Sequence, residues 1–386
     1  MSKNLKITLI SIAVVLGFAL SFVGGYSLNL FKSTTTQQTQ GLNFDLLTEA
    51  YNVIRSEYVD PTKLDDATLT EGAIKGMVDA IGDPHSGYMS KELADMSTSD
   101  FEGQFEGIGA YVNADGSGRV VIVAPIADSP AEKAGILAGD VILEVDGKST
   151  EGMSVTEVVI LIRGQKGTTV KLSILHKDAT DPVTIDVVRD AIKPDSVSLE
   201  MKGDIACITI SSFTERTDDE LIPVLQTISQ NGTKGIIIDL RNNPGGILDT
   251  VIANASHFLS TGAVVHVVDR DGNKTTSSVK NVSPKILDIP MVVLVNEYSA
   301  SASEVFSGAM QDYKRALIVG TTTYGKGSVN VLERLSDGSG IYISIARWLT
   351  PNGNLIEGKG ITPDQTLDLA KVDGIQWAID YLRSKQ

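Results

Sequence analysis

The sequence contains few of the residues on which metal and thiol enzymes depend. Its 386 residues include one cysteine, Cys207, which excludes an intramolecular disulfide and lies in an apolar run that is typical of a small core residue. The four histidines are scattered and match no metal-binding spacing: His85, His176, His257 and His266. We therefore expect no metal and no cofactor.

Basic residues are in the minority. There are 33 Lys and Arg against 48 Asp and Glu, which gives a formal net charge of −15. This balance disfavours nucleic acid or an anionic lipid surface as the main partner. The apolar fraction is 42%, and a chain of 386 residues has room for two or three domains with cores of their own.

The one long apolar run lies at the N-terminus. Lys3 and Lys6 precede the uncharged stretch Ile7 to Phe31, which at about 1.5 Å per residue is long enough to span a bilayer. Because the basic residues come before the span, the rest of the chain is expected outside the cytoplasm. We expect an uncleaved single-pass anchor. A cleaved signal peptide, which would make the protein secreted, remains the alternative because Ala19-Leu20-Ser21 fits a cleavage site.

Periodicity predicts helices first and then short strands. Residues 33–40 form an uncharged Ser/Thr/Gln-rich tether, and helical patterns run from Phe44 to near Asp60 and from Ala67 to Ile81. Between residues 101 and 176, short strands alternate with turns around one short helix at 155–162. The predicted strands are Val120 to Val123, Val141 to Val145 and Val170 to Leu175.

From Ile205 onward, strands and helices alternate, which predicts an α/β core with a partly parallel sheet. Apolar runs at Ile236 to Leu240 and Met291 to Val295 are typical of strands covered on both faces. Thr217 to Glu220 fits a capping box at a helix start, and Asp337 to Gly340 predicts a hairpin.

The chemistry of the core points to a serine and a lysine. The run Ser299-Ala300-Ser301-Ala302-Ser303-Glu304 follows a predicted strand, and Lys326 lies between two glycines further along. A serine where a strand turns into a helix can be a nucleophile, and a lysine can be its base. Lysine has an ordinary pKa of about 10.4, so it accepts a serine proton only where desolvation lowers that value. Ser299 and Ser303 are expected to be hydroxyl residues at the start of the helix rather than nucleophiles. The Glu304 carboxylate is expected to stabilise the helix N-terminus electrostatically.

Two other segments match known functional motifs only in part. Gly320 to Gly327 nearly spells a phosphate-binding loop, but glycine replaces the Ser or Thr that should follow the lysine. Ser277 to Lys280 matches the SxxK of penicillin-recognising enzymes, but it lies in a polar stretch without a helical period and no SDN or KTG follows.

The middle segment resembles a PDZ domain. Gly107, Ile108 and Gly109 precede a strand and look like a carboxylate-binding loop, in which successive N–H groups hold a peptide C-terminus. The segment Leu137 to Gly147 resembles the strand and turn that close such domains. The glycine loop taken alone is equally compatible with a simple turn.

From about Phe44 to Leu369 the chain resembles the carboxyl-terminal processing, or tail-specific, proteases. The motifs that carry the resemblance occur in the family's order, and they are Asp83 to Ser86, Asp239 to Gly246, Ser299 to Glu304, Gly325 to Gly327 and Leu349 to Gly353. The resemblance implies Ser301 as nucleophile and Lys326 as base. It implies an oxyanion hole from the N–H groups of Ala302 and of Gly245 or Gly246.

The resemblance assigns two further roles and leaves one residue open. Asn330 stands where the family usually has a glutamine that orients the lysine, and its side chain is one methylene shorter. Arg163 matches an arginine linked to coupling between tail binding and the active core, although it also fits a solvated cation at a helix end. Asp312 falls at a position linked to site integrity, but it fits an ordinary helix-end residue as well.

The resemblance implies an α/β fold: a mixed-sheet protease core with an inserted PDZ domain and an N-terminal helical segment, after an N-terminal membrane anchor. The predicted segments are a cytoplasmic tip and anchor or signal segment (1–32), a tether (33–43), a helical segment (44–96), the PDZ domain (97–180) and the core (181–386).

The expected function is a serine endopeptidase of the cell envelope that binds free substrate C-termini. The alternatives are a pseudoprotease scaffold that only binds such tails, kept open by Asn330, and a structural envelope protein without catalysis. Family members often assemble through terminal segments, so a homo-oligomer is expected.

Overall fold

The computed structural model describes residues 42–177, 179–369 and 371–385. Two compact units are distinguished, one ending at Thr70 and the other beginning at Glu71. The predicted anchor from Ile7 to Phe31 lies outside the described residues. Within the described ranges, no helix combines the length and the apolar character needed to cross a bilayer.

The first unit contains the first predicted helix and the start of the second. Helix α1 (Phe44–Glu57) is followed by a 3-10 turn (Pro61–Lys63), and helix α2 (Asp66–Asp79) continues past Thr70. Asn43 caps α1, because its side-chain oxygen accepts a hydrogen bond from the N–H of Leu46 at 3.1 Å. No residue of α1 is buried, so the apolar side chains of this helix are exposed.

Strand β1 (Gly87–Met89) and helix α3 (Lys91–Glu102) follow in the second unit. Ser90 is the N-cap of α3, and the helix ends at Gly103, whose φ of 75° lies in the left-handed region. A side chain at Gly103 would also collide with Thr214, so glycine is required there. The sequence patterns did not predict α3.

The predicted PDZ segment forms an antiparallel sheet with order β3-β4-β5-β7-β8, and β6 pairs with β5. The capping box of Ser154 and Glu157 starts the longer helix of the segment at the predicted residue. Ile122, Ile142 and Leu172 of the sheet share a buried cluster with Val158 of this helix. The elements are β2 (Phe105–Gly107), β3 (Ala110–Ala114), β4 (Val120–Pro125), α4 (Pro130–Lys133), β5 (Val141–Val145), β6 (Lys148–Ser149), α5 (Val155–Ile162), β7 (Thr169–Leu175), β8 (Val183–Val188) and β9 (Asp190–Ile192), where β9 pairs with β2.

Two of the predicted boundaries fall inside structural units. The boundary between residues 96 and 97 cuts α3, which is one continuous helix. The boundary between residues 180 and 181 comes before β8, although β8 is hydrogen-bonded to β7 along six residue pairs. The middle sheet therefore extends to Val188, because β8 pairs with β7 beyond the predicted boundary.

The remaining chain forms the core with two sheets. The larger sheet has order β10-β11-β12-β15-β16-β19, with only the β10–β11 pair antiparallel, and confirms the predicted partly parallel sheet. The elements are β10 (Val197–Lys202), β11 (Ile205–Ile210), α6 (Thr217–Gln230), β12 (Gly235–Asp239), α7 (Leu248–Ser256), β13 (Ala263–Asp269), β14 (Lys274–Ser278), β15 (Met291–Val295), α8 (Ala302–Asp312), β16 (Leu317–Gly320), β17 (Ser328–Arg334), β18 (Gly340–Leu349), β19 (Gln365–Thr366) and α9 (Gly374–Arg383).

Both faces of the larger sheet are covered by helices. Ile236 and Ile238 of β12 pack in one cluster with α6, α7 and α8, while Ile237 packs with α9 on the other face. All five residues of β12 are buried, which explains the continuous apolar run in the sequence. In the second sheet, β17 and β18 form the predicted hairpin, β18 also pairs with β1 and β13, and β14 pairs with β13.

The predicted capping box at Thr217 is wrong. Helix α6 begins at Thr217 itself, so this residue is inside the helix rather than capping it. Its hydroxyl accepts from the N–H of Thr214 at 2.8 Å, and Glu220 instead accepts from the N–H of Ser196 at 2.7 Å. Glu220 bonds to Ser196, which is distant in the chain, rather than to the start of its own helix, because this contact satisfies a polar group that folding buries.

Candidate active site

Ser301 is held at a sharp turn between a buried strand and a buried helix. It follows β15 and is the N-cap residue of α8, with φ 53° and ψ −114°. A positive φ is costly for a residue with a side chain, and such strain is concentrated at functional sites. The side chain is 9% exposed and lines a cavity of about 800 Å³, which we name the catalytic cavity.

Lys326 lines the same cavity from the loop between β16 and β17. Its ammonium nitrogen lies 3.4 Å from the Tyr342 hydroxyl and 5.3 Å from the centre of that ring. A Cβ at Gly327 would lie 2.1 Å from the N atom of Glu357, so glycine is required for this close approach. In the described part of the chain, no carboxylate forms an ion pair with Lys326 and no hydrogen bond joins its Nζ to Ser301 Oγ.

A buried carboxylate joins the two loops that carry Ser301 and Lys326. Glu304 Oε2 accepts hydrogen bonds from the N–H of Ser301 at 2.8 Å and from the N–H of Lys326 at 2.9 Å. Oε1 accepts from the Thr323 hydroxyl at 2.6 Å and from the N–H of Gly325 at 2.7 Å. Burial raises the pKa of Glu304, and these four donors oppose that shift by favouring the carboxylate.

The sequence predicts only an electrostatic role for Glu304 at the helix start, and no motif in it marks Thr323. The spacing of three residues between Ser301 and Glu304 was a usable signal, because it allows a side chain to reach back to the N-cap N–H. The contact with the lysine loop was not predictable, since Thr323 and Lys326 lie on a different strand connection.

The three predicted oxyanion donors lie together but are not equivalent. Gly245 packs against Ser301, since a Cβ there would lie 2.8 Å from both Ser301 Cβ and Ala302 N. The N–H of Gly245 donates to Asn243 Oδ1 at 2.8 Å. Within the described residues, the N–H groups of Ala302 and Gly246 have no protein acceptor, so these two are available to a substrate oxygen.

Asn330 lies on β17 and lines the catalytic cavity, but its amide is engaged away from Lys326. Its Nδ2 donates to the carbonyl of His85 at 2.8 Å and to Ser344 Oγ at 3.0 Å. Its Oδ1 accepts from Ser328 Oγ at 2.8 Å. Asn330 therefore ties β17 to β18 and to the segment before β1.

That segment is held by Asp83. Ser86 Oγ donates to Asp83 at 2.6 Å, and the N–H of His85 donates at 3.1 Å. Partial burial opposes ionisation, but hydrogen bonds from Ser344, Ser86 and the N–H of His85 lower the pKa of Asp83 to about 2. His85 also lies 3.3 Å from Glu357, whose N atom packs against Gly327.

A second cavity, of about 420 Å³, contains the predicted tail-binding residues, and we name it the tail groove. Gly107, Ile108, Gly109 and Arg163 all line it. Gly109 has φ 75°, and a Cβ there would lie 2.5 Å from Ser129 Cβ, so the loop requires glycine at this position. The loop is thus more constrained than a simple turn.

Arg163 is shared by the two cavities. Its guanidinium pairs with Asp100 at 2.8 Å and lies 4.5 Å from the centre of the Phe105 ring. Asp100, Val159, Ser212 and Thr214 also line both cavities. The tail groove and the catalytic cavity therefore adjoin, with five lining residues in common.

Other residues that the sequence analysis considered are structural. Asp312 ends α8 and accepts from the N–H of Asn352 at 2.8 Å. Burial raises the pKa of the Cys207 thiol to about 11, which keeps it protonated. The segment Gly320 to Gly327 leads into strand β17 rather than into a helix, so it lacks the helix N-terminus of a phosphate-binding loop.

Comparison with known proteins identifies the family. Residues 204–367 match the model described as peptidase family S41, residues 121–175 match a PDZ domain, and residues 25–93 match the activating protease CtpB N-terminal domain. The chain is 39% identical to carboxy-terminal processing protease CtpA of Bacillus subtilis (strain 168), over 96% of this chain and 78% of that protein. The chain belongs to the carboxyl-terminal processing protease family. It is a serine endopeptidase with a PDZ domain.

Two further similarities agree with this assignment. A "Probable CtpA-like serine protease" of Staphylococcus haemolyticus (strain JCSC1435) is 40% identical over 82% of this chain and 63% of that protein. Among solved structures, the photosystem II D1 C-terminal processing protease superimposes with a TM-score of 0.55 at 30% identity. That match covers 85% of this protease and 94% of the D1 protease.

Proposed function

We propose that this protease binds the free C-terminus of a protein in the tail groove and cleaves the same chain with a Ser301–Lys326 dyad. The observation that carries the proposal is that the tail groove adjoins the cavity lined by Ser301 and Lys326 and shares five lining residues with it. A substrate whose end is held at Gly107 to Gly109 can reach Ser301 without leaving the protein surface. The PDZ domain is proposed to include β8, which extends it beyond residue 180.

In the proposed reaction, Ser301 Oγ attacks the substrate carbonyl carbon and Lys326 accepts the hydroxyl proton. The N–H groups of Ala302 and Gly246 donate to the oxyanion of the tetrahedral intermediate. Lys326 then returns its proton to the leaving amine, and a water molecule hydrolyses the acyl-enzyme with Lys326 again as base. The hydrogen bonds of Glu304 to both loops support this assignment, because they fix the relative position of nucleophile and base.

Asn330 and Arg163 are proposed to act as positioning residues. The amide of Asn330 fixes the strand that follows Lys326, so it orients the lysine loop. Arg163 lies where the two cavities meet and is proposed to link tail binding to the arrangement of the catalytic cavity.

The location and assembly of the protease are proposals from the sequence and from α1. The apolar stretch from Ile7 to Phe31 supports a single-pass anchor with the catalytic part outside the cytoplasm. Helix α1 exposes Phe44, Leu46 and Val53 at 71%, 59% and 54% of their surfaces. We propose that a second copy covers this apolar face, which predicts a homo-oligomer in sedimentation experiments.

The test uses the purified full-length protease and an unstructured peptide that ends in an apolar residue. Mass spectrometry should identify an internal cleavage product whose formation is lost in Ser301→Ala. Amidation of the peptide C-terminus should slow cleavage at least about tenfold, because a terminal carboxylate is the group that a loop of N–H donors binds. Cleavage at the same rate with and without the free carboxylate would contradict tail recognition, and cleavage by Ser301→Ala would contradict the dyad.

A further inference from the structure

One face of helix α3 forms a wall of the catalytic cavity, and no sequence motif marks it. Leu93, Met96, Ser97, Asp100 and Phe101 all line the cavity. Their spacing of three and four residues puts them on one stripe of the helix. Met89, directly before the helix, extends the wall.

The other sides of α3 are fixed by polar contacts, which leaves the cavity stripe free for a ligand. Arg334 donates to Asp95 at 2.7 Å and to Thr98 Oγ1 at 3.1 Å. At the C-terminal end, Arg216 donates to the carbonyl of Gly103 at 2.8 Å. The helix is therefore held in place by residues of the core.

A second helix lines the cavity as well. Val155, Thr156 and Val159 of α5, with Arg163 directly after the helix, belong to the PDZ domain and share the cavity with α3, Ser301 and Lys326. Charged side chains line the cavity only at Asp100, Arg163 and Lys326 among the described residues. The charged pair Asp100 and Arg163 lies where the two cavities meet, whereas the wall at Leu93 and Met96 is apolar.

We propose that the cavity face of α3, chiefly Leu93 and Met96, selects the substrate residues that lie between the scissile bond and the bound C-terminus. The order of the tail groove and Ser301 along the bound substrate decides on which side of the scissile bond these residues lie. The C-terminus lies in the tail groove and the scissile carbonyl at Ser301, so the residues in between are C-terminal to the cleaved bond. This inference rests on the proposed function.

The chemistry of the wall defines the substrate class. Burial of an unpaired charge against apolar groups is costly, so a substrate with apolar residues in this segment is preferred over one with Asp, Glu or Lys. Methionine is unbranched and adaptable, and it accommodates apolar side chains of different shapes. The wall therefore selects apolar character in this segment rather than one particular residue.

The experiment first locates the cleaved bond in a peptide with a free apolar C-terminus, and then varies one residue C-terminal to it. Peptides with Leu, Glu or Lys at that position are compared by kcat/KM. The wild-type protease should prefer Leu by at least about tenfold over either charged peptide. Met96→Lys should raise the rate for Glu relative to Lys at least about tenfold, and Met96→Glu should do the opposite.

The control is Glu92→Lys, which introduces a lysine at an exposed position of α3 outside the cavity, with a charge change one unit larger than that of Met96→Lys, and should keep the wild-type ranking. Circular dichroism melting reports whether each variant is folded. If the charged variants are unfolded, Leu93→Ala replaces them and should shift the preference from Leu towards Phe by several-fold.

An unchanged ranking in the folded variants, with cleavage still dependent on Ser301 and on a free C-terminus, would overturn the inference and leave the proposed function intact. Loss of the dependence on Ser301 or on the free C-terminus in the wild-type protease would remove the proposed function, and the inference with it.

Discussion

The catalytic cavity and the tail groove, here the catalytic end and the tail end, differ in how their residues are held. At the catalytic end, Glu304 and Thr323 are buried and every oxygen of the Glu304 carboxylate accepts two hydrogen bonds. At the tail end, Arg163 and Asp100 form one ion pair with side chains that are 20% and 50% exposed. Buried networks fix geometry, whereas exposed ion pairs exchange partners at little cost. In the proposed mechanism, the chemistry at the first end is thus preorganised, and tail recognition at the second remains adjustable.

The largest effect is expected at the catalytic end, from the dyad itself. Ser301→Ala and Lys326→Ala should each lower kcat by about 10⁴-fold or more, because each removes one half of the same proton-transfer unit. The double variant should be no slower than either single variant. Single-turnover kinetics with a free-tailed peptide measures this, and a Lys326→Ala protein that keeps a tenth of the wild-type rate would show that another base operates.

The second-largest fall in kcat is expected when the carboxylate of Glu304 is replaced. Glu304→Gln keeps the shape but replaces one acceptor oxygen with an NH₂ group, so two of the four donors lose their partner. We expect kcat to fall about 10²-fold with KM nearly unchanged, since only the positions of Ser301 and Lys326 are disturbed. Glu297→Gln is the matched control, because Glu297 is exposed and accepts one bond from Thr321. Equal kcat in Glu304→Gln and wild type would mean that the network has no positioning role.

At the tail end, Arg163→Ala should remove the advantage of a free C-terminus without abolishing hydrolysis. The wild type should cut a free-tailed peptide about tenfold faster than its amidated form, and the variant should cut both at the slower rate. Arg119→Ala is a suitable control, because Arg119 pairs with Asp115 in a turn that lines neither cavity. A variant that still responds fully to the free tail would show that Arg163 is only a helix-end cation.

A smaller effect is expected at Asn330, which connects the catalytic end to its support. Asn330→Ala removes three hydrogen bonds and should lower kcat several-fold more than it raises KM. Asn330→Gln should lower kcat less than Asn330→Ala, because its longer amide retains the groups that bond His85 and Ser344. Steady-state kinetics gives kcat and KM for the wild type and the two variants. Identical kcat and KM in all three proteins would exclude an orienting role for residue 330.

The smallest effect concerns stability rather than rate. Because the pKa of Asp83 is about 2 in the folded protein and 3.8 in the reference state, its ionisation stabilises the fold above about pH 4, and this contribution is lost as the pH falls towards 2. Asp83→Asn should lower the free energy of unfolding by about 1 to 2 kcal/mol at pH 7, after allowance for partial solvent screening. Urea titrations should show the difference from wild type shrinking below pH 4, and a constant difference would point to another cause.

The sequence by itself determined the α/β fold class and the buried central strands of the core, and it singled out Ser301 and Lys326 as the proposed reactive pair. Runs such as Ile236 to Leu240 predict buried strands because a strand covered on both faces needs apolar side chains at every position. The strand, the small residues and the helix start around Ser301 are local in sequence, so their pattern is readable without the fold.

Only the tertiary structure decided how those residues are held and what surrounds them. Thr217 lies inside α6 and Glu220 bonds to Ser196, 24 residues earlier, so the predicted capping box does not form, and Asn330 directs its amide to His85 and Ser344 rather than to the lysine. The bond from Glu304 to Lys326 and the α3 wall join segments that are 22 or more residues apart. Such contacts depend on which side chains the folded core leaves buried and unpaired, and local periodicity carries no information about them.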